Sequence, residues 1–242
     1  MNPTPTELKT ALITGASRGI GRSTAEAFAR RGYRLFLTCH NSMEELETLS
    51  GRLRSQYGIP CTPVRTDMGD YKEVESLFSH IDSLDVLVNN AGVAHIGLLS
   101  DMTAEQWHRV LSVNLDACFY TCKHAIPLML QKHSGRIINV SSVWGSVGAS
   151  METASKGGVN SFTKALAKEL APSNIQVNAV ACGVMDTAMN HCLSPEDLEA
   201  LREEIPADRL GDPAEAAQLI LQIAEAPAYM TGQIITIDGG WF

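Results

Sequence analysis

The sequence predicts one doubly wound α/β domain over residues 1–242, a parallel sheet of seven strands with helices on both faces. Three observations carry this. Short apolar or β-branched runs alternate with longer helical patterns almost from end to end. The short runs are near-continuously apolar, as strands covered on both faces must be. No repeat, linker or low-complexity tract divides the 242 residues, a length that one domain of this type fills.

Taken in order, the strand runs fall at 11–14, 35–38, 61–65, 86–89, 136–140, 176–180 and 233–237. Helical patterns fall between them, at 20–31, 44–57, 71–80, 104–131, 157–171 and 213–224. Right-handed crossovers then set ligands at the carboxyl ends of the strands. The stretch 185–210 is the least regular, polar and rich in Glu and Pro, and is expected to form a lid over that end.

Composition narrows the function. Hydrophobic residues make up 45% and charged residues 19%, a globular balance. The formal net charge of −8 disfavours a nucleic-acid partner, which needs a basic stripe. An acidic carrier protein as partner would need a local basic patch. MNPTPTELK has no basic stretch leading into an apolar run, and no segment approaches about eighteen apolar residues. A cytoplasmic protein with no membrane partner is expected. The six cysteines (Cys39, Cys61, Cys118, Cys122, Cys182 and Cys192) lack C-x-x-C spacing. They read as packing thiols in a reducing compartment, with no metal site.

The first strand runs into Thr14-Gly15-Ala16-Ser17-Arg18-Gly19-Ile20-Gly21 and then a helix. Glycines at such a junction allow a tight turn, and let backbone N–H groups approach a pyrophosphate at the helix N-terminus. A glycine triplet alone also fits a plain strand-to-helix turn. The order strand, turn, helix at the chain start favours dinucleotide binding.

The spacing G-x-x-x-G-x-G resembles that of the short-chain dehydrogenase/reductase family, and further motifs extend the likeness over nearly the whole chain. Asn89-Asn90-Ala91-Gly92 is similar to the family's NNAG, and Asn114 in WHRVLSVNL to its helix asparagine. GRIINVSS leads to Ser142 as the family's strand leads to its catalytic serine, and ASKGG surrounds Lys156 as in the family. IQVNAVACG is similar to VNxVxPG, with Cys182 where proline is usual. RLGDP and TGQIITIDGGW complete the pattern. Within the family the chain resembles bacterial 3-oxoacyl-acyl-carrier-protein reductases. SSVWG and GVMDTAMN also resemble a subgroup with a reductase of an elongation factor P modification.

The resemblance implies a Rossmann-type fold and NADP(H) or NAD(H) as cofactor. It places cofactor contacts at Gly15, Ser17, Arg18, Gly19, Ile20 and Gly21, then at Cys39 and His40. Further contacts follow at Asp67, Met68, Asn89, Asn90, Ala91, Gly92, Lys156, Gly183, Val184 and Thr187. Asp67 would accept from the adenine amino group. NAD-binding members place Asp or Glu at the end of strand two, to accept from the ribose 2′-OH. Here that position is Cys39, followed by His40. No carboxylate repels a 2′-phosphate, and Arg18 is at hand to pair with one. NADP(H) is therefore expected over NAD(H).

Carbonyl reduction needs a donor for the carbonyl oxygen, a proton for the forming alkoxide and a held nicotinamide. The resemblance gives the first task to Ser142, the ribose grip to Lys156 and a water relay to Asn114. The family's proton donor, a tyrosine four residues before the lysine, is missing. Glu152 stands there, and GASMETASK resembles the family's GAS-x-E-x-A-Y-S-A-S-K with Y-S-A deleted. An ionised Glu beside Lys156 would accept hydrogen bonds and have no proton to give. The expected function is reduction of a carbonyl, such as a 3-oxoacyl thioester, carried by a small molecule or a carrier protein. The alternative is a dinucleotide-binding protein with impaired catalysis. The shortening should also disturb 145–155. Surplus apolar residues along 104–131 and the final Trp241-Phe242 predict a homotetramer.

Overall fold

A computed structural model of the chain describes residues 8–95, 97–146, 152–192 and 194–242. Its strands are β1 (Thr10–Ile13), β2 (Arg34–Cys39), β3 (Cys61–Arg65), β4 (Val86–Asn89), β5 (Gly135–Ser142), β6 (Ile175–Cys182) and β7 (Ile234–Ile237). They pair in parallel in the order β3-β2-β1-β4-β5-β6-β7. The chain reverses direction across the sheet between β1 and β4. In such a sheet that reversal opens a crevice at the carboxyl ends of the strands.

The helices are α1 (Gly19–Arg30), α2 (Met43–Tyr57), α3 (Tyr71–Phe78), α4 (Ala104–Leu111), α5 (Ala117–Lys132), α6 (Glu152–Leu170), α7 (Pro195–Glu204) and α8 (Pro213–Ala224). Strand alternation divides them between the two faces. Ala11 and Ile13 of β1 join a core with α1, α2 and α8, while Leu12 joins the opposite core with α3, α5 and α6. No helix among the described residues is long and apolar enough to cross a membrane.

Four departures from the sequence pattern bear on the site. Strands β5 and β6 run on to Ser142 and Cys182, because Ser141 and Ser142 stay in register with Ala181 and Cys182. The expected helix over 104–131 is interrupted by a π turn, Ser112–Asp116, which carries Asn114. Helix α6 begins at Glu152, before Gly157 and Gly158. Those glycines are packing residues, since a Cβ at Gly158 would lie 2.8 Å from the Leu115 side chain. The expected lid holds a regular helix, α7, capped by Ser194 and Asp197 with Pro195 at its first position. The disturbance expected over 145–155 falls partly on 147–151, outside the described residues, but Glu152–Ser155 form an intact first turn of α6.

Candidate active site

The glycine turn is shaped by backbone demands. Gly15 and Gly19 adopt φ of +64° and +54°, where a side chain is strained. A Cβ on Gly21 would lie 2.3 Å from the Gly15 carbonyl oxygen, so only glycine lets α1 start this close to β1. Arg18 is the N-cap of α1 but gives no side-chain cap, and the first turn holds no acid. The opening N–H groups of α1 therefore remain for an anion, with Arg18 exposed beside them. Ser17 is half-buried in the same turn, and Ile20 anchors it on the core.

The turn after β4 is tied to this one. Thr14 Oγ1 accepts from the backbone N–H of Asn90 (3.0 Å) and Ala91 (2.9 Å). Asn90 Nδ2 donates back to the carbonyls of Thr14 (2.8 Å) and Gly15 (3.1 Å). Asn89 differs. Its amide donates to Asn139 Oδ1 (2.9 Å) and accepts from Thr121 Oγ1 (2.7 Å), so its side chain belongs to a buried network. The linking role of Thr14 is one the sequence reading missed, although it is the residue that starts the glycine turn.

Beyond the glycine turn, Cys39 is buried as the last residue of β2, and His40 is exposed. Met68 is buried with its sulfur 3.5 Å from Thr38 Oγ1. Arg109 of α4, a residue the sequence did not single out, donates through Nη1 to both carboxylate oxygens of Asp67, at 2.9 and 2.7 Å. Gly69 N also donates to Asp67, and His40 Nε2 lies 3.6 Å from it. Burial pushes the Asp67 carboxyl up, but these donors and charges outweigh it and leave the group below the ordinary carboxylate range.

At the opposite end, Asn114 is fixed by its π turn. Its Oδ1 accepts from Val93 N (2.8 Å), and its Nδ2 donates to Val93 O and Ser155 Oγ, both at 3.0 Å. Ser155 Oγ donates in turn to the Glu152 carbonyl (2.7 Å). Lys156 is buried and its Nζ donates to Val140 O (2.9 Å). Ser142, half-buried at the end of β5, accepts through Oγ from Trp144 N (3.2 Å), so it caps the following turn. The thiols of Cys118 and Cys182 are each pushed up to about 12 by burial, against the pull of the Lys156 charge.

Glu152 corrects an expectation. The sequence suggested that Lys156 lowers this carboxyl below its ordinary range. Burial pushes the carboxyl above its ordinary range, and Lys156 only partly opposes this.

The segment after β6 closes one side. Gly183 N donates to Ile237 O (2.9 Å), and Val184 O accepts from Gly211 N (3.0 Å). The Thr187 methyl lies 3.2 Å from where a Gly19 Cβ would stand, which sets the start of the lid segment against the glycine turn. Trp144, Trp241 and Phe242 make an aromatic run, with ring centroids 6.4 and 4.7 Å apart.

The comparisons with known proteins agree with this geometry. Residues 9–198 match the family model described as short chain dehydrogenase. An uncharacterized oxidoreductase, YmfI, of Bacillus subtilis is 38% identical over 238 residues, covering 96% of this chain and 98% of the relative. The 3-oxoacyl-[acyl-carrier-protein] reductase FabG of Aquifex aeolicus is 37% identical over 242 aligned residues, covering 97% of each chain. Among solved structures, a putative gluconate dehydrogenase of Agrobacterium tumefaciens superposes with a TM-score of 0.91 at 32% identity. It covers 96% of this chain and 95% of that one. YwfH, described as an NADPH dependent reductase involved in bacilysin biosynthesis, gives 0.91 at 26% identity and covers 98% and 99%. By fold and by sequence over nearly its whole length, the chain belongs to the short-chain dehydrogenase family.

Proposed function

We propose that the chain is a cytoplasmic NADP(H)-dependent reductase that converts a carbonyl to a hydroxyl, with a 3-oxoacyl thioester as its substrate class. The thioester is borne by a small molecule or a carrier protein. One observation supports this most. A Cβ at Gly15 would lie 2.9 Å from Ala91 Cα, and one at Gly92 would lie 3.4 Å from Asn114 Oδ1 and 3.6 Å from Lys156 Nζ. The glycine turn, the NAG turn, Asn114 and Lys156 are thus neighbours at one end of the sheet, as a dinucleotide site requires. The activity named for the Aquifex relative and the cofactor named for YwfH support the substrate class and the cofactor.

The nicotinamide, when bound, supplies a hydride. The rest falls to this chain. The glycine turn and the α1 N-terminus take the pyrophosphate, and Arg18 with His40 takes a 2′-phosphate. Ser142 gives up its cap to Trp144 N–H and orients the carbonyl oxygen. Lys156 holds the ribose, and Asn114 fixes the wall behind it. The buried free thiols of Cys39, Cys61, Cys118, Cys122 and Cys182 suit a reducing cytoplasm.

The missing tyrosine favours slow turnover, and a silent dinucleotide-binding protein is the second reading. The oxidation of NADPH by acetoacetyl thioester separates them. Slow, protein-dependent oxidation is expected. Bound NADPH with no oxidation over hours supports the second reading.

A further inference from the structure

The segment after β3 is tied to the glycine turn through Thr38 of β2. The Thr38 carbonyl accepts from Ala16 N (2.8 Å), and its Oγ1 accepts from Gly15 N (3.4 Å). The same Oγ1 lies 3.5 Å from the Met68 sulfur. Asp67, next to Met68, therefore stands beside the turn, at the carboxyl ends of β2 and β3. Its backbone is pinned on both sides, since Asp67 N donates to Glu73 Oε2 (2.7 Å) and Asp67 O accepts from Asp70 N (3.0 Å). Its side chain is 19% exposed, so a ligand can still reach the carboxylate.

What Asp67 can accept from such a ligand is set by Arg109. A carboxylate offers about four lone-pair sites. Arg109 Nη1 takes one on each oxygen, at 2.9 Å from Oδ1 and 2.7 Å from Oδ2, and Gly69 N takes a second on Oδ1 (2.9 Å). One site remains, on Oδ2. His40 Nε2 stands 3.6 Å from that oxygen, outside hydrogen-bond reach. The guanidinium is itself seated over Gly69. A Cβ there would lie 3.2 Å from Arg109 Nη1 and 3.0 Å from Ser112 Oγ, so glycine makes the room that Arg109 fills. With a reference pKa of ~3.9 and a guanidinium in contact, the carboxylate accepts and has no proton to donate.

We propose that Arg109 is a positioning residue of the dinucleotide site, which leaves Asp67 a single directed acceptor and so selects an amino over an oxo group on the purine of the cofactor. This rests on the reading of the chain as a dinucleotide-dependent reductase. A 6-amino purine brings an N–H donor to the remaining lone pair. A 6-oxo purine brings an oxygen, lone pair against lone pair, and is rejected. Arg109 acts through Asp67, by fixing where that lone pair points before the base arrives.

The test is calorimetric titration of the full chain with NADPH and with its hypoxanthine analogue, reduced nicotinamide hypoxanthine dinucleotide phosphate. The unmodified chain should bind NADPH roughly ten- to a hundredfold more tightly than the analogue, the usual contribution of a hydrogen bond to a charged group. Arg109→Met keeps the apolar stem and removes the guanidinium. It should lower that ratio roughly two- to tenfold, because an unfixed side chain must be ordered on binding. Arg109→Lys, a milder change to the fold, should give a ratio between the two. General damage to the fold weakens both dinucleotides together and leaves the ratio alone, so the ratio separates positioning from stability. An unchanged ratio in Arg109→Met, whatever the loss of affinity, overturns the role of Arg109. Equal affinities in the unmodified chain overturn the acceptor at Asp67 and leave the dinucleotide reading intact. No binding of either dinucleotide overturns both.

Discussion

The thiol of Cys39 closes β2 where an acid would bar a 2′-phosphate. Placing a carboxylate there with Cys39→Asp should weaken NADPH by roughly ten- to a hundredfold, since hydrogen bonds to charged groups contribute about 1.5–3 kcal/mol. NADH should lose nothing, and paired calorimetric titrations read both effects. Gly21→Ala tests the turn itself. With a Cβ 2.3 Å from Gly15 O, the turn must open. Overpacking of this kind costs about 1–3 kcal/mol, and NADPH affinity should fall with thermal stability. An alanine variant with unchanged melting and affinity would show that the turn is not held this tightly. Much of this was legible, because glycines and a missing acid speak through local sequence. Arg109 was not. Its pairing with Asp67 joins residues 42 apart, and on its own helix it reads as an ordinary exposed charge.

Helix α6 carries Glu152, Ser155 and Lys156 on its first turns. Its start at Glu152 was hidden in the sequence by Gly157 and Gly158, whose packing role appears only against Leu115. The π turn was hidden for a similar reason, since Asn114 leaves the helical pattern to bond Val93 across the site. Two predictions belong here. Folding raises the Glu152 pKa, so the folded chain binds a proton more tightly than the unfolded one. Its contribution to stability is whole below the unfolded value of ~4.3 and is lost as pH climbs through the raised folded value. Glu152→Gln cannot ionise, so its melting temperature should gain on the unmodified chain across that window. A difference independent of pH would show a carboxyl with ordinary titration. Second, inserting Tyr-Ser-Ala between Ala154 and Ser155 puts a phenol four residues before Lys156. Turnover should rise by roughly 10²–10⁴-fold. An unchanged rate would mean that proton transfer does not limit this enzyme.

At the scale of the molecule, sheet order and layers follow from the alternation of apolar strands and amphipathic helices, which is why all seven strands are legible in the chain itself. Assembly is the part that a single chain leaves open. Phe119 on α5 and Phe242 at the end are 50% and 58% exposed, and β7 is an edge strand. A homotetramer should cover them, and light scattering at micromolar protein should give four times the chain mass, a monomer mass being the contrary result. Calorimetric titration of the unmodified chain with NADPH and with NADH tests the dinucleotide site. NADPH should bind at one site per chain, at least about tenfold more tightly than NADH, by roughly 1.4 kcal/mol. Equal affinities would contradict the reading of Cys39 and His40, and no binding of either would contradict the crevice itself.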